Sequence, residues 1–143
     1  MPSNALPFLL QVKHYPKKTK ILLRLFGQKF YTSEVPILPE ILKNTLPTIF
    51  KAQCFNEQKL PFHKEVQNTE LGHLFEHILL EYLCDLKFSK GKDYVSFSGH
   101  TDWNWQRDPR GTFHITVSSR AHEADLFQTA LSKSTLLFNR LLA

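Results

Sequence analysis

Glycine is scarce in this chain. Its five occurrences, Gly27, Gly72, Gly91, Gly99 and Gly111, never fall at the spacing of G-x-G-x-x-G or G-x-x-x-x-G-K-[ST]. Both patterns wrap backbone amides around phosphates, so a standard dinucleotide site or P-loop is excluded. Cysteine is scarcer still: Cys54 and Cys84 stand thirty residues apart with no C-x-x-C partner. That is too few for a disulfide framework or a cysteine-rich zinc site, and reduced thiols are expected. No apolar run reaches the roughly eighteen residues of a membrane span, and residues 1–10 lack a secretion signal's cationic start and apolar stretch. The expectation is a soluble, cytoplasmic protein with no membrane partner. Charge of one sign is only mildly in excess: 18 Lys and Arg against 13 Asp and Glu leave a formal +5, which admits anionic partners and selects none.

What is present is ordinary globular material. The 143 residues are 42% hydrophobic and 22% charged, enough for one domain, 1–143, with its own core. Between Phe8 and Tyr31 the pattern reads as two strands, with Lys20–Phe26 apolar and Gly27-Gln28 a turn before Lys29–Tyr31. Pro36 and Pro39 flank the start of a helix carrying Ile41, Leu42, Leu46, Ile49 and Phe50, with Pro47 as a kink. Asn56–Asn68 is polar and aperiodic and reads as a connecting loop.

The strongest helix follows, capped by Thr69, with Leu71, Leu74, Phe75, Ile78, Leu79, Tyr82, Leu83 and Leu86 on one apolar face. Asp93–Ser98 and Gly111–Ser118 alternate as half-buried strands, joined through an Asp108-Pro109-Arg110-Gly111 turn, and Ala121–Leu142 closes with a long helix. The order ββααββα predicts an α+β two-layer sandwich: a four-stranded, largely antiparallel sheet with helices on one face.

The polar residues of the strong helix carry the chemistry. His73 and His77 are one turn apart on the face opposite the apolar stripe, and two imidazoles so placed can share a metal ion. The string His73-Leu74-Phe75-Glu76-His77 fits H-x-x-E-H, the inverse of the zinc-peptidase H-E-x-x-H. Zinc held by two imidazoles and a carboxylate keeps a position for water, and Glu76 is placed to act as general base and then proton donor. For the third ligand, Glu81 lies eight residues beyond His73, roughly 12 Å along the axis. Glu123, opening the last helix, is the first choice, with Glu81 orienting the His77 ring from behind. The competing reading is a solvated helix face on which Glu76, His77 and Glu81 balance charge.

The stretch Thr69-Glu-Leu-Gly-His-Leu-Phe-Glu-His-Ile-Leu-Leu-Glu81 resembles the G-H-x-x-E-H-x-A-L-E segment in the N-terminal domain of cyanophycin synthetase, the enzyme that builds an arginine–aspartate polymer. Ile41-Leu42, Leu46-Pro47, Ile49 and Cys54 are similar to the family's L-P-x-L-x-x-H-x-C region. Gly111–Val117 and His122-Glu123-Ala124 resemble its G-x-Y-x-V-V-F and E-E-A-G segments, so the likeness runs from about Leu38 to Leu142. The resemblance implies a domain that holds the polymer and, in some members, a metallopeptidase-like activity that cuts it into primers. It gives His73, Glu76 and His77 metal and catalytic roles, and Glu81 and Glu123 both match acidic positions. Two departures stand out. The sequence stops at Ala143, without the ATP-grasp and ligase modules that follow in the synthetase, so a stand-alone relative is expected. Gly99-His-Thr-Asp-Trp103 replaces a basic G-R-T-R-E stretch, which argues for a different substrate.

Trp103 and Trp105, at i and i+2 near Arg107 and Arg110, are candidates for binding a polymer by stacking and charge; covering the sheet is the other reading. Lys17–Lys20 and Lys87–Lys92 read as solvated basic turns with no recognised nucleic-acid motif. His100, His114 and His122 read as surface or capping histidines, and Cys84 as a small buried thiol. The expectation is a zinc-dependent, peptidase-like hydrolase of peptide or cyanophycin-like amide bonds. The alternative is a non-catalytic module of the same fold that binds a peptide or arginine/aspartate-rich polymer. No specific nucleic acid is expected, and a homo-oligomer stays open.

Overall fold

The computed structural model describes residues 6–51, 62–89 and 97–143. Strand β1 (Phe8–His14) and β2 (Thr19–Leu25) form an antiparallel hairpin closed by the bond from Tyr15 N–H to the Lys18 carbonyl. The connecting turn is therefore Tyr15–Lys18, where Pro16 presets the backbone, and not Gly27-Gln28. Lys29–Tyr31 does not form a strand; Tyr31 makes an isolated bridge to Glu70. Helix α1 (Leu38–Thr45) carries Pro39 in its first turn and stops before Pro47 rather than kinking through it. Leu46, which precedes that proline, is driven out of helical conformation to φ −143° and ψ 60°, and a 3-10 turn, Pro47–Lys51, follows.

Part of the segment read as a loop is helical. Residues 56–61 of it lie outside the described residues, but Phe62–Glu65 forms a four-residue helix, α2. The predicted strong helix is α3 (Leu71–Ser89), and the last is α4 (Ala124–Leu142), preceded by a 3-10 turn, Ala121–Glu123. Strand β3 runs from Gly99 to Asp102, later than the predicted Asp93–Ser98, of which 93–96 lie outside the described residues. Strand β4 (Thr112–Val117) follows a turn in which the Thr112 N–H reaches the Pro109 carbonyl. Gly111 adopts φ +92° there, which only glycine takes without strain.

The sheet order is β1-β2-β4-β3, antiparallel throughout. As expected for an α+β sandwich, helices cover one face and the other is open. The register aligns Leu23 with Phe113, Ile21 with Ile115 and Thr19 with Val117 on the covered face. Thr101 pairs with Ile115 and Gly99 with Val117, so β3 turns those two residues toward the helices as well. Phe138 of α4 makes edge contacts at 5.2 Å to Phe8 and 5.1 Å to Phe75, joining β1, α3 and α4 in one contiguous core. At the start of α3 the fit is tighter: a Cβ added to Gly72 would lie 2.2 Å from the Phe113 ring. The missing side chain lets α3 lie directly on β4.

Candidate metal centre

Helix α3 is enclosed along the stretch that carries the motif. Glu76 and His77 are each only 5% exposed, so the face predicted to be solvated is an interior one. Two neighbours close it. Phe62 of α2 stacks on His77 at 4.1 Å and 28°, and meets His73 edge-on at 6.1 Å. On the other side, the Thr101 hydroxyl of β3 donates to Glu76 Oε1 at 2.6 Å. Gly99 makes room for that carboxylate, since a Cβ there would stand 3.1 Å from Glu76 Oε2.

The imidazoles converge: His73 Nε2 and His77 Nε2 are 3.1 Å apart. Nitrogens sharing a tetrahedral zinc ion at 2.0–2.1 Å would be separated by about 3.3 Å, so the spacing suits one ion between them. Together with the Glu76 carboxylate, these donors lie within 4.8 Å of one another, the one such three-residue group among the described residues. His73 Nδ1 is 2.9 Å from the Thr69 hydroxyl, which donates to Glu70 Oε1 at 3.2 Å. With its own proton given to Glu70, the hydroxyl oxygen accepts from His73 Nδ1–H, which places the lone pair of the ring on Nε2, facing His77 Nε2. Thr69 is therefore not the cap predicted for it. Its backbone is held instead by Thr32, whose N–H donates to the Thr69 carbonyl at 2.8 Å and whose hydroxyl accepts the Thr69 N–H at 2.9 Å.

Burial sets the charges. It pushes His77 down to about 3, helped by the His73 charge, and lowers His73 too, with Glu70 acting against it. Both rings are neutral near pH 7, the form that binds metal. Burial raises the Glu76 carboxyl, opposed by the Thr101 hydrogen bond and the His100 charge. A carboxyl raised in this way is a stronger proton acceptor than an exposed one.

The other candidates are elsewhere. Glu123 accepts from Lys87 Nζ at 2.6 Å, and Lys87 lies ten residues beyond His77, about 15 Å along α3. Burial pushes the Glu123 carboxyl up, but hydrogen bonds from Lys87 and the Arg120 backbone hold it below its ordinary value. A carboxylate already paired with a cation is a poor first choice for a ligand, and neither Glu123 nor Glu81 joins the cluster. Cys54 lies outside the described residues, and Cys84 is half-buried with its thiol pushed up by burial.

Trp105 packs beside Phe30 and Phe113, donates Nε1–H to the Thr112 carbonyl at 2.9 Å, and has Arg110 stacked above it. Trp103 meets Phe113 edge-on but is 41% exposed. The sequence thus located His73, Glu76 and His77 but not Phe62, Gly99 or Thr101. Those three come from other elements, and no spacing pattern announces them.

Residues 20–136 match the cyanophycin synthase-like N-terminal domain. The chain belongs to that family. The match begins within β2 and takes in every residue of the cluster, so the cyanophycin synthase-like domain is the frame in which the site is built. No curated protein matches the chain.

Proposed function

We propose that this domain is a zinc-dependent, peptidase-like hydrolase acting on peptide or cyanophycin-like amide bonds. The observation that carries the reading is the convergence at 3.1 Å of two neutral imidazoles, His77 buried and His73 partly so, beside a carboxyl whose affinity for protons is raised. His73 and His77 would hold the ion. When bound, it supplies Lewis acidity to a water molecule or an amide carbonyl. The chain's own residues do the rest. Glu76 takes a proton from the attacking water and returns it to the leaving amine. Thr101 holds Glu76 Oε1, so proton exchange falls to Oε2, which Gly99 accommodates by having no side chain. Thr69 keeps the lone pair of His73 on Nε2.

The test separates ligation from proton transfer. Wild-type protein should carry about one zinc ion per chain, and His73→Ala should lose it. Glu76→Gln should keep the metal while hydrolysis of peptides or the arginine–aspartate polymer falls by at least about a hundredfold. Metal lost in both variants would make Glu76 a ligand, and a wild-type protein that takes up no zinc would overturn the proposal.

One observation favours a second reading. Phe62 lies flat on His77 and is itself fully buried, which shields the ring pair from a polymer. A non-catalytic module would instead bind its peptide or arginine/aspartate-rich polymer outside, at exposed Trp103, Arg107 and Arg110 beside Trp105. It predicts polymer binding unaffected by Glu76→Gln and lost in Trp103→Ala.

A further inference from the structure

The positive charge of this chain is concentrated at its start. Residues 1–33 hold six Lys and Arg, at positions 13, 17, 18, 20, 24 and 29, and no Asp or Glu. The β1–β2 register places Lys13 and Lys20 directly opposite one another. Like charges in that position destabilise a hairpin. Lys18 at the turn joins them: the three ammonium groups lie 5.4, 5.8 and 5.9 Å from the centroid of the Tyr15 ring. Among the described residues no carboxylate forms an ion pair with any of the three. Lys13, Lys20 and Tyr15 line a concavity of about 540 Å³ on the open face of the sheet, within the size range of small-ligand sites, and Lys18 reaches it through the Tyr15 ring. Leu22 and Thr116 line it, and the one acidic side chain in its wall, Asp102, is held by His100 at 2.9 Å.

Three ammonium groups around one ring ask for a ligand whose negative charges are equally close. Carboxylates on one face of an extended acidic peptide recur only about every 7 Å, whereas linked phosphates gather several charges in less than that. Lysine serves phosphate as a compact point charge. A nucleic-acid strand would need aromatic platforms for its bases, and of the two aromatic rings lining the concavity Tyr15 is already surrounded by lysines and His114 is held by Asp108 at 3.0 Å. We propose that the open face of the sheet, at Lys13, Lys18, Lys20 and Tyr15, binds the di- or triphosphate group of a small ligand. This site lies across the sheet from the His73–His77 cluster and does not depend on it.

Calorimetric titration of the full chain with inorganic tripolyphosphate tests the site. Binding should appear at low ionic strength and weaken as salt rises. The double variant Lys13→Gln/Lys20→Gln should bind at least about tenfold more weakly, while Lys133→Gln on α4 should bind like wild type. Because the double variant removes a like-charge pair, its melting temperature should be no lower than wild type, which excludes misfolding as the cause. No binding at low salt, or equal binding by the double variant, would overturn the proposal. So would a hexa-aspartate peptide or an oligothymidylate that binds as tightly as tripolyphosphate.

Discussion

At the scale of single residues, the hydroxyl of Thr69 shows how much one small group decides. It stands between the Glu70 carboxylate and His73 Nδ1, and so selects which nitrogen of the ring faces His77. Thr69→Val keeps the shape and removes the oxygen. Zinc affinity measured by chelator competition should fall by about 10–100-fold, Thr69→Ser should restore it, and nitrogen-15 shifts of the metal-free imidazole should show the change of tautomer. Much of the site was legible at this scale, because helical spacing alone brings His73, Glu76 and His77 together. Thr69 was misread because the same residue type serves as helix cap and as imidazole partner, and only the position of the His73 ring separates the two.

Among elements, the contact of α3 with β4 depends on an atom that is absent. Glycine in a helix costs about 1 kcal/mol relative to alanine, so Gly72→Ala would stabilise an isolated α3. Here the new methyl would meet the Phe113 ring at 2.2 Å, and that ring is fully buried between Trp103 and Trp105. The substitution should destabilise the protein by about 1–3 kcal/mol in urea denaturation despite the better helix propensity. The long amphipathic helices were readable because each repeats its apolar period several times, whereas the hairpin turn was misplaced because β1, mostly exposed, shows no such period. Strand β3 was not, since its four residues are mostly exposed at the sheet edge and show no alternation. Helix α2 has a single turn, too short for any period, and its key residue Phe62 owes its burial to contacts with α3.

For the whole molecule, burial of the histidine pair becomes a dependence of stability on pH. The pKa of His77 is about 3 in the fold against 6.5 in the unfolded chain, so the unfolded state binds the extra proton between those values. Stability from this group is complete above pH 6.5 and is lost as pH falls toward 3. Glu76 acts in the opposite sense: its raised pKa means stability is lost as pH climbs above 4.5. Metal-free protein should therefore lose up to about 2 kcal/mol from His77 between pH 6.5 and 5, a loss that His77→Gln reduces in thermal melts. Glu76→Gln should raise the melting temperature at pH 7, because it removes a carboxyl that the fold ionises reluctantly.

The strand order has one more consequence. The β2–β4 ladder joins segments about ninety residues apart, so a long stretch of chain must be gathered before that ladder forms, whereas His73 and His77 meet within one helical turn. Thr101 rides on β3, which is attached to the sheet only through β4. A nascent chain can thus present the imidazole pair well before the Glu76 carboxyl is seated on Thr101, so the proposed hydrolytic site would be completed last during maturation.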